Sequence, residues 1–304
     1  MFPILKDYIR EHKAIKQQNK AFKTISKYIT SPEQPFITQN LKNKNIIWQL
    51  WEAPTNKTPT NNHIVERCLE SIEKYKWDGF QRKLLNFENS KDQVLFPDFV
   101  YDKLQKDNNG YTLAAFSDIL RLALLCKHGG IWVDATIIAL RPLKNLYLEN
   151  IKQTGFSFQR SDIESLEARR KWRHYNVNYF SWNRSFKVRW LSSLIIAGEN
   201  RDILNETLRI LLLIWKNEEY YPHYFTAHII YDYLSRQKYL PSLAYESDVP
   251  IHYLQKHVYE IYDTNLFNLI ANNYPIQKMT WKVKAQKIVS GDTFFNRLFS
   301  SEQS

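Results

Sequence analysis

The sequence predicts an α/β protein, and three observations carry that expectation. Short β-rich runs alternate with amphipathic helical runs through the first half of the chain, the pattern that builds a parallel sheet covered by helices. The stretch LAAFSDILRLALLCKHGGIWVDATIIAL, Leu113 to Leu140, reads as a buried helix, a two-glycine hinge and a strand. At 304 residues, 44% apolar and 24% charged, the chain is long enough to bury its own core as one large domain.

Taken in order, residues 1–30 are Lys-rich, with Ile4, Leu5, Tyr8, Ile9, Ile15, Phe22, Ile25 and Ile29 at helical spacing. A basic amphipathic helix of this kind either packs on the main domain or lies on an anionic lipid surface. Residues 1–40 are therefore expected as a basic helical extension, with a linker from Ser31 to Pro35. Asn45 to Trp51, NIIWQLW, is the first core strand, and Ala53 to Asn62 a loop at its carboxyl end. His63 to Lys76 is an amphipathic helix with Val65, Leu69 and Ile72 inward. Arg82 to Phe87 is a second strand, followed by a loop bearing Asn89 and Asp92 and a short helix from Asp98 to Gln105.

From Leu113 to His128 strong helix formers place apolar side chains almost all round, as in a helix buried against a sheet. Against that background Ser117, Asp118 and Arg121 form one polar stripe at spacings of three and four. Gly129 and Gly130 stand where a helix end needs left-handed backbone. Ile131 to Leu140 is expected as one strand, with Ile131, Val133, Ile137 and Ala139 on one face and Asp134 and Thr136 on the other. A carboxylate in a mostly buried strand is costly unless it is paired or binds a ligand, and α/β sheets hold ligands at the carboxyl ends of strands. Two readings fit: Asp134 marks a site, or it caps a turn while Asp118 simply pairs with Arg121.

Beyond Pro142, Gly155 to Gln159 is a short strand. Arg160, Arg169, Arg170, Lys171, Arg173 and His174 then gather ahead of a segment, Asn176 to Arg189, rich in Tyr, Trp and Asn. That cluster either binds an anionic acceptor or is a solvated basic loop. Trp190 to Ala197 is a strand, Asp202 to Lys216 an apolar helix, and Tyr220 to Tyr239 a helix start carrying His223 and His228.

The formal charge of +11 asks for anionic surroundings or partners. No zinc-finger spacing, RNP-like motif or recognition helix is present, so nucleic acid is not expected as a partner. Cys68 and Cys126 lie in apolar helical runs and read as reduced core residues. No run has the length to span a bilayer and the N-terminus lacks a signal-peptide core, which predicts a cytoplasmic protein able to sit peripherally on the membrane's cytoplasmic face. Nine Trp, nineteen Tyr and seventeen Phe suit sugar or base stacking and core filling alike.

SDILRLALLCKHGGIWVDATI resembles the capsular polysaccharide synthesis protein family and, more distantly, the sugar-binding region of glycosyltransferase family 32. Their signature is S-D-x-x-R-x-x-x-L-x-x-x-G-G-x-[YW]-x-D-x-D, and Ser117, Asp118, Arg121, Leu125, Gly129, Gly130, Trp132 and Asp134 match it in unbroken register. The departure is Thr136 in place of the second Asp; the capsular family is similar in carrying a single Asp here, which favours that branch over the broader one. The resemblance implies a GT-A-like, Rossmann-type nucleotide-sugar-binding domain over residues 41–304, with a donor half of about 41–145 and an acceptor half of about 146–304.

It implies further that Asp134, Asp118 and Arg121 serve catalysis and that Asp118, Arg121 and Gly130 contact the donor. Trp48, Gln49 and Trp51 would contact the nucleotide base, although either Trp fits a core equally well. Asp134 and His228 would hold a divalent metal, Mn²⁺ or Mg²⁺, with one carboxylate and a hydroxyl where the signature has two carboxylates; Lys and Arg neutralising the diphosphate without metal is the other reading. PIQKMTWK, from Pro275 to Lys282, resembles the family's terminal segment, which makes Lys278 and Lys282 either diphosphate ligands or surface lysines. The expected function is retaining sugar transfer from a nucleotide-sugar donor, UDP-linked, to a glycan or lipid-linked glycan acceptor in capsular or other surface polysaccharide synthesis, alongside capsule assembly proteins. The rivals are sugar-phosphate transfer and a non-catalytic module that binds anionic glycan or membrane.

Overall fold

The computed structural model describes residues 3–33, 45–51, 60–237, 240–281 and 291–299. In chain order the elements are α1 (Pro3–Ile29), β1 (Ile46–Leu50), α2 (Thr60–Tyr75), β2 (Gln81–Leu85), α3 (Phe87–Ser90), α4 (Asp98–Gln105), α5 (Leu113–His128), β3 (Ile131–Val133), β4 (Ile137–Ala139), β5 (Gly155–Gln159), α6 (Leu166–Tyr175), β6 (Trp190–Ala197), α7 (Asp202–Asn217), α8 (Thr226–Arg236), β7 (Ala244–Ser247), α9 (Tyr253–His257), α10 (Thr264–Asn273), β8 (Ile276–Lys278) and α11 (Phe294–Phe299).

Six strands form the central sheet in the order β2-β1-β3-β6-β5-β7, and β4 pairs with β8 in a separate two-stranded ribbon. β1 runs parallel to β2 and β3, β6 is antiparallel to both β3 and β5, and β7 is parallel to β5. The α/β class expected from the sequence is therefore the class the chain adopts, with a mixed sheet. Because β6 alone is reversed among the inner strands, its amino end meets the carboxyl ends of β1, β3 and β5 at one edge. That edge is where a ligand meets loops instead of sheet.

α5 covers this sheet as a nearly all-apolar rod packed between it and α7. Thr112 caps its start, accepting from the Ala115 N–H, and Gly129 and Gly130 end it at φ of 69° and 89°. Each of its fully buried leucine and isoleucine side chains contributes about 1.5–3 kcal/mol relative to exposure. The expected strand from Ile131 to Leu140 is instead two. After Val133 the Asp134 N–H still reaches the Ser193 carbonyl (2.8 Å), but its carbonyl then accepts from the Ile137 N–H (2.9 Å). That closes a turn at Asp134-Ala135-Thr136 and sends β4 away to pair with β8. Asp134 thus stands at a strand's carboxyl end, not within it.

Two other local expectations change. The loop after β2 starts with α3, because Asn86 and Asn89 cap each other reciprocally. The basic residues from Arg160 to His174 do not form one anion-binding face. Arg160 is sealed in an ion pair with Asp248, Arg173 and His174 reach Glu11 and Asp7 on α1, and Arg169 bonds the carbonyls of Asp162 and Glu164. α1 itself packs on α7 and α8 and gives Ala14, Ile15, Ala21 and Ile25 to the main core. A smaller core of Ile64, Cys68, Ile138, Leu254, Met279 and Phe294 lies under the β4-β8 ribbon. Both cysteines are buried and unbonded to each other, with burial pushing each thiol up to about 12. Among the described residues no helix is long and apolar enough to cross a membrane. The Ala53–Asn62 segment falls outside the described residues up to position 59, and Thr60–Asn62 belong to α2.

Candidate active site

The convergent edge of the sheet opens into a cleft of about 990 Å³. Asp134, Asp118, Arg121, Ser192, Ser193, His228 and Lys278 line its floor. Each is delivered by an element described above: the end of β3, the first turns of α5, the amino end of β6, the start of α8 and the end of β8.

Arg121 is the hub. Its guanidinium lies over the Trp132 ring, 5.2 Å from the centroid, and 3.3 Å from Asp118 and 3.6 Å from Asp134. It also donates to the Ser117 carbonyl and hydroxyl and to the Ser192 carbonyl and hydroxyl. With its donors so committed, Arg121 braces the two carboxylates. Asp134 accepts from the Trp132 indole N–H at 2.8 Å and from the Lys278 ammonium at 3.1 Å. Burial works to raise its carboxyl, but Lys278, Arg121, Trp132 and Ser193 outweigh that and hold it down at about 2. Asp118 goes the other way: burial pushes it up to about 6, against Arg121 and with help from the negative charge of Asp134. Two carboxylates bridged by one arginine thus titrate far apart.

Lys278 reaches this point because β8 pairs with β4, setting Lys278 opposite Ile137, and because the Met279 N–H donates to the Thr136 carbonyl at 2.8 Å. Gln277, buried, accepts from the Leu254 N–H and fixes the ribbon to α9. The Lys278 ammonium then bonds Asp134 and the Thr136 hydroxyl together. An ammonium has three donors, so one remains for the cleft.

His228 bonds the Ser192 hydroxyl through Nε2 at 3.2 Å. Ser192 already accepts from Arg121, so the assignment that leaves its proton with an acceptor has the hydroxyl donating to Nε2. Burial first, then Arg121, lowers the imidazole to about 3, so His228 is neutral. Its Nδ1 is closed off from solvent and has no partner among the described residues.

These contacts do not fit the divalent metal that an Asp-x-Asp site would hold. Both Asp134 oxygens are engaged, Thr136 offers a hydroxyl already bonded to a cation, the Nε2 of His228 is bonded to Ser192 and its Nδ1 is closed off from solvent. Among the described residues no group of three or more His, Cys, Asp or Glu is placed to hold a metal.

The walls are aromatic. Trp51 and Trp281 meet edge to face with centroids 6.3 Å apart on one side, and Tyr175, Tyr179, Phe180, Tyr224 and Phe225 line the other. Of the residues the sequence pointed to for base contact, only Trp51 lines the cleft. Trp48 is wholly buried, its indole donating to the Gly129 carbonyl at 2.9 Å, and Gln49 is buried beside Arg82. Gly130 also lies off the cleft, accepting from the Ala197 N–H to tie the hinge to β6. Lys282 is outside the described residues. Sequence reasoning passed over Ser192, Ser193 and Trp281. The first two were legible as adjacent hydroxyls in an otherwise apolar strand, while Trp281 becomes significant only once Trp51 stands beside it.

Over residues 3–298 the chain matches the family described as capsular polysaccharide synthesis protein. Among solved structures it is similar to PaToxG Glycosyltransferase, at 16% identity and a TM-score of 0.36, covering 77% of this chain and 80% of that one, a likeness too slight to carry an argument. No curated protein matches the chain in sequence.

Proposed function

The chain belongs to the capsular polysaccharide synthesis protein family, and from that membership and the chemistry of the cleft we propose that it is a glycosyltransferase. It moves a sugar from a nucleotide-diphosphate donor, UDP-linked, to an acceptor in a capsular or related surface polysaccharide. The observation that carries the proposal is the Asp134, Arg121 and Lys278 cluster at the carboxyl end of β3, open to a cleft with a tryptophan wall. The tryptophans suit a stacked base, and the ammonium suits the diphosphate.

In the proposed reaction the bond from the anomeric carbon to the β-phosphate oxygen breaks, and its electron pair leaves with the diphosphate. The acceptor hydroxyl oxygen forms the new bond, and its proton passes to the departing phosphate oxygen. Retention at the anomeric carbon fits this site, since both carboxylates are held by Arg121 and neither stands free as a general base.

A thermal-shift titration with UDP, GDP, CDP and their sugar conjugates tests the reading. A ligand of the native state stabilises it by RT ln(1 + [L]/Kd) and raises the melting temperature. Stabilisation by one nucleoside diphosphate, followed by transfer that releases that diphosphate, is the expected result. Release of a nucleoside monophosphate would point to sugar-phosphate transfer, and no response to any nucleotide would sink the transferase reading.

A further inference from the structure

We propose that Lys278 takes the place of the divalent metal, so that this site binds and activates its donor diphosphate without one. The inference rests on the transferase reading above and specifies its chemistry. Where the broader signature has a second carboxylate this chain has Thr136, and a lysine from another strand stands against it. The Lys278 ammonium sits between the Asp134 carboxylate and the Thr136 hydroxyl, bonded to both. It is one-fifth exposed and lines the cleft, which leaves its third donor for a phosphate oxygen. Asp134 acts here as a positioning residue. Held by Trp132 and Arg121, it fixes the ammonium where developing negative charge on the leaving diphosphate would meet it.

The test is calorimetric titration of the whole chain with UDP, and with GDP and CDP because the base is unidentified, in EDTA and in Mn²⁺. Equal affinity in both buffers is expected. Lys278→Met should weaken binding by about tenfold or more, while Lys278→Arg keeps most of it. Circular dichroism melts of both variants confirm that they fold. Binding that appears only with Mn²⁺, or an undiminished affinity in folded Lys278→Met, overturns the inference and leaves the transferase reading standing. Failure of every nucleotide to bind in either buffer overturns both.

A separate observation concerns α1. Its two acidic residues, Asp7 and Glu11, both face inward, to His174 and Arg173. Its outward face carries Lys13, Lys16, Lys20, Lys23 and Lys27 in one stripe at spacings of three and four, with Lys6 and Arg10 near its start. At the amino-terminal end of that stripe Leu5, Tyr8 and Ile9 are 47%, 61% and 38% exposed. Lys27, at the far end of the stripe, pairs with Glu218 at 3.1 Å; the rest of the run, with no acid of the helix on its face and ending in exposed apolar side chains, matches an anionic lipid surface: the lysines meet headgroups and the apolar trio enters the interface. We infer that α1 docks the protein on anionic bilayers.

Cosedimentation with vesicles of phosphatidylcholine alone, and mixed equally with phosphatidylglycerol, reads this out. The protein should sediment with the mixed vesicles only, and Leu5→Ser/Tyr8→Ser/Ile9→Ser should release it while leaving the melting temperature unchanged. No sedimentation with the mixed vesicles, or sedimentation indifferent to the triple substitution, overturns the inference.

Discussion

Asp248 with Arg160 and Asp134 with Lys278 are both pairs of a carboxylate and a basic side chain, and the difference that bears on function is access. Asp248 and Arg160 are both sealed from solvent, joined by two bonds of 2.8 and 2.7 Å, with the Tyr179 hydroxyl on the carboxylate and three aromatic rings around the guanidinium. Asp134 and Lys278 are about one-fifth exposed at the floor of the cleft. A closed pair can only hold the structure together. An open pair keeps a donor for something that arrives. The same contrast divides two nearby tryptophans: Trp48 in the first strand is spent on the core, and Trp51, just past that strand's end, meets Trp281 on the cleft wall.

The largest expected effect comes from breaking the closed pair. Asp248→Asn leaves an uncompensated guanidinium in the interior and should cost about 3–5 kcal/mol of stability, measured by urea unfolding. Replacing both partners, as Arg160→Met with Asp248→Leu, should cost less than either single change. If the single variant unfolds like wild type, the pair is not what separates the two regions.

The tryptophans sharpen the contrast. Trp48→Ala should lose about 3–5 kcal/mol of stability by emptying a core site. Trp51→Ala should leave the melting temperature nearly unchanged and weaken nucleotide binding by about 1–3 kcal/mol, the worth of a stacked base. Equal effects on both measurements would erase the distinction between them.

Smaller still is the stability effect at the open pair. Lys278→Met should change the unfolding free energy by no more than about 1 kcal/mol, the range of solvent-accessible ion pairs. Its consequence belongs to ligand binding, so a large loss of stability would mean that Lys278 is structural after all.

The two carboxylates also part in pH. Asp134, held at about 2 against an ordinary 3.8, contributes stability that is present above pH 3.8 and lost as pH falls towards 2. Asp118, raised to about 6, has the opposite sign: the fold favours its protonated form, and stability declines as pH rises from 3.8 through 6. Carbon-13 titration of the assigned Asp118 and Asp134 carboxyls should find Asp118 with a midpoint near 6 and Asp134 still ionised at pH 4. Two ordinary midpoints would show that burial at Asp118 and Lys278 at Asp134 do not set the pair apart.

Local chemistry in the sequence was enough to place most elements. The helix from Leu113 to His128, the left-handed glycines after it and the strands at Gly155 and Trp190 are where propensity and periodicity put them. The polar stripe of Ser117, Asp118 and Arg121, and the carboxylate at Asp134, were legible as well, because polar groups in an apolar run must be paired or used. The break after Val133 was not, since the alternation of Ile131 to Leu140 suits one strand and two equally. Only the pull of β8 on β4 decides between them.

By itself, then, the sequence determined the α/β class, the family signature and the two carboxylates that line the cleft. Tertiary structure decided their partners. Lys278 lies 144 residues from Asp134, and Trp281 is remote in sequence from Trp51, so no local pattern links them. It decided too that Trp48 is core, that the basic run from Arg160 is dispersed and that α1 turns its acids inward. The physical reason is common to all three: a side chain's charge and size are written in the chain, but its exposure is fixed by what the rest of the fold lays over it.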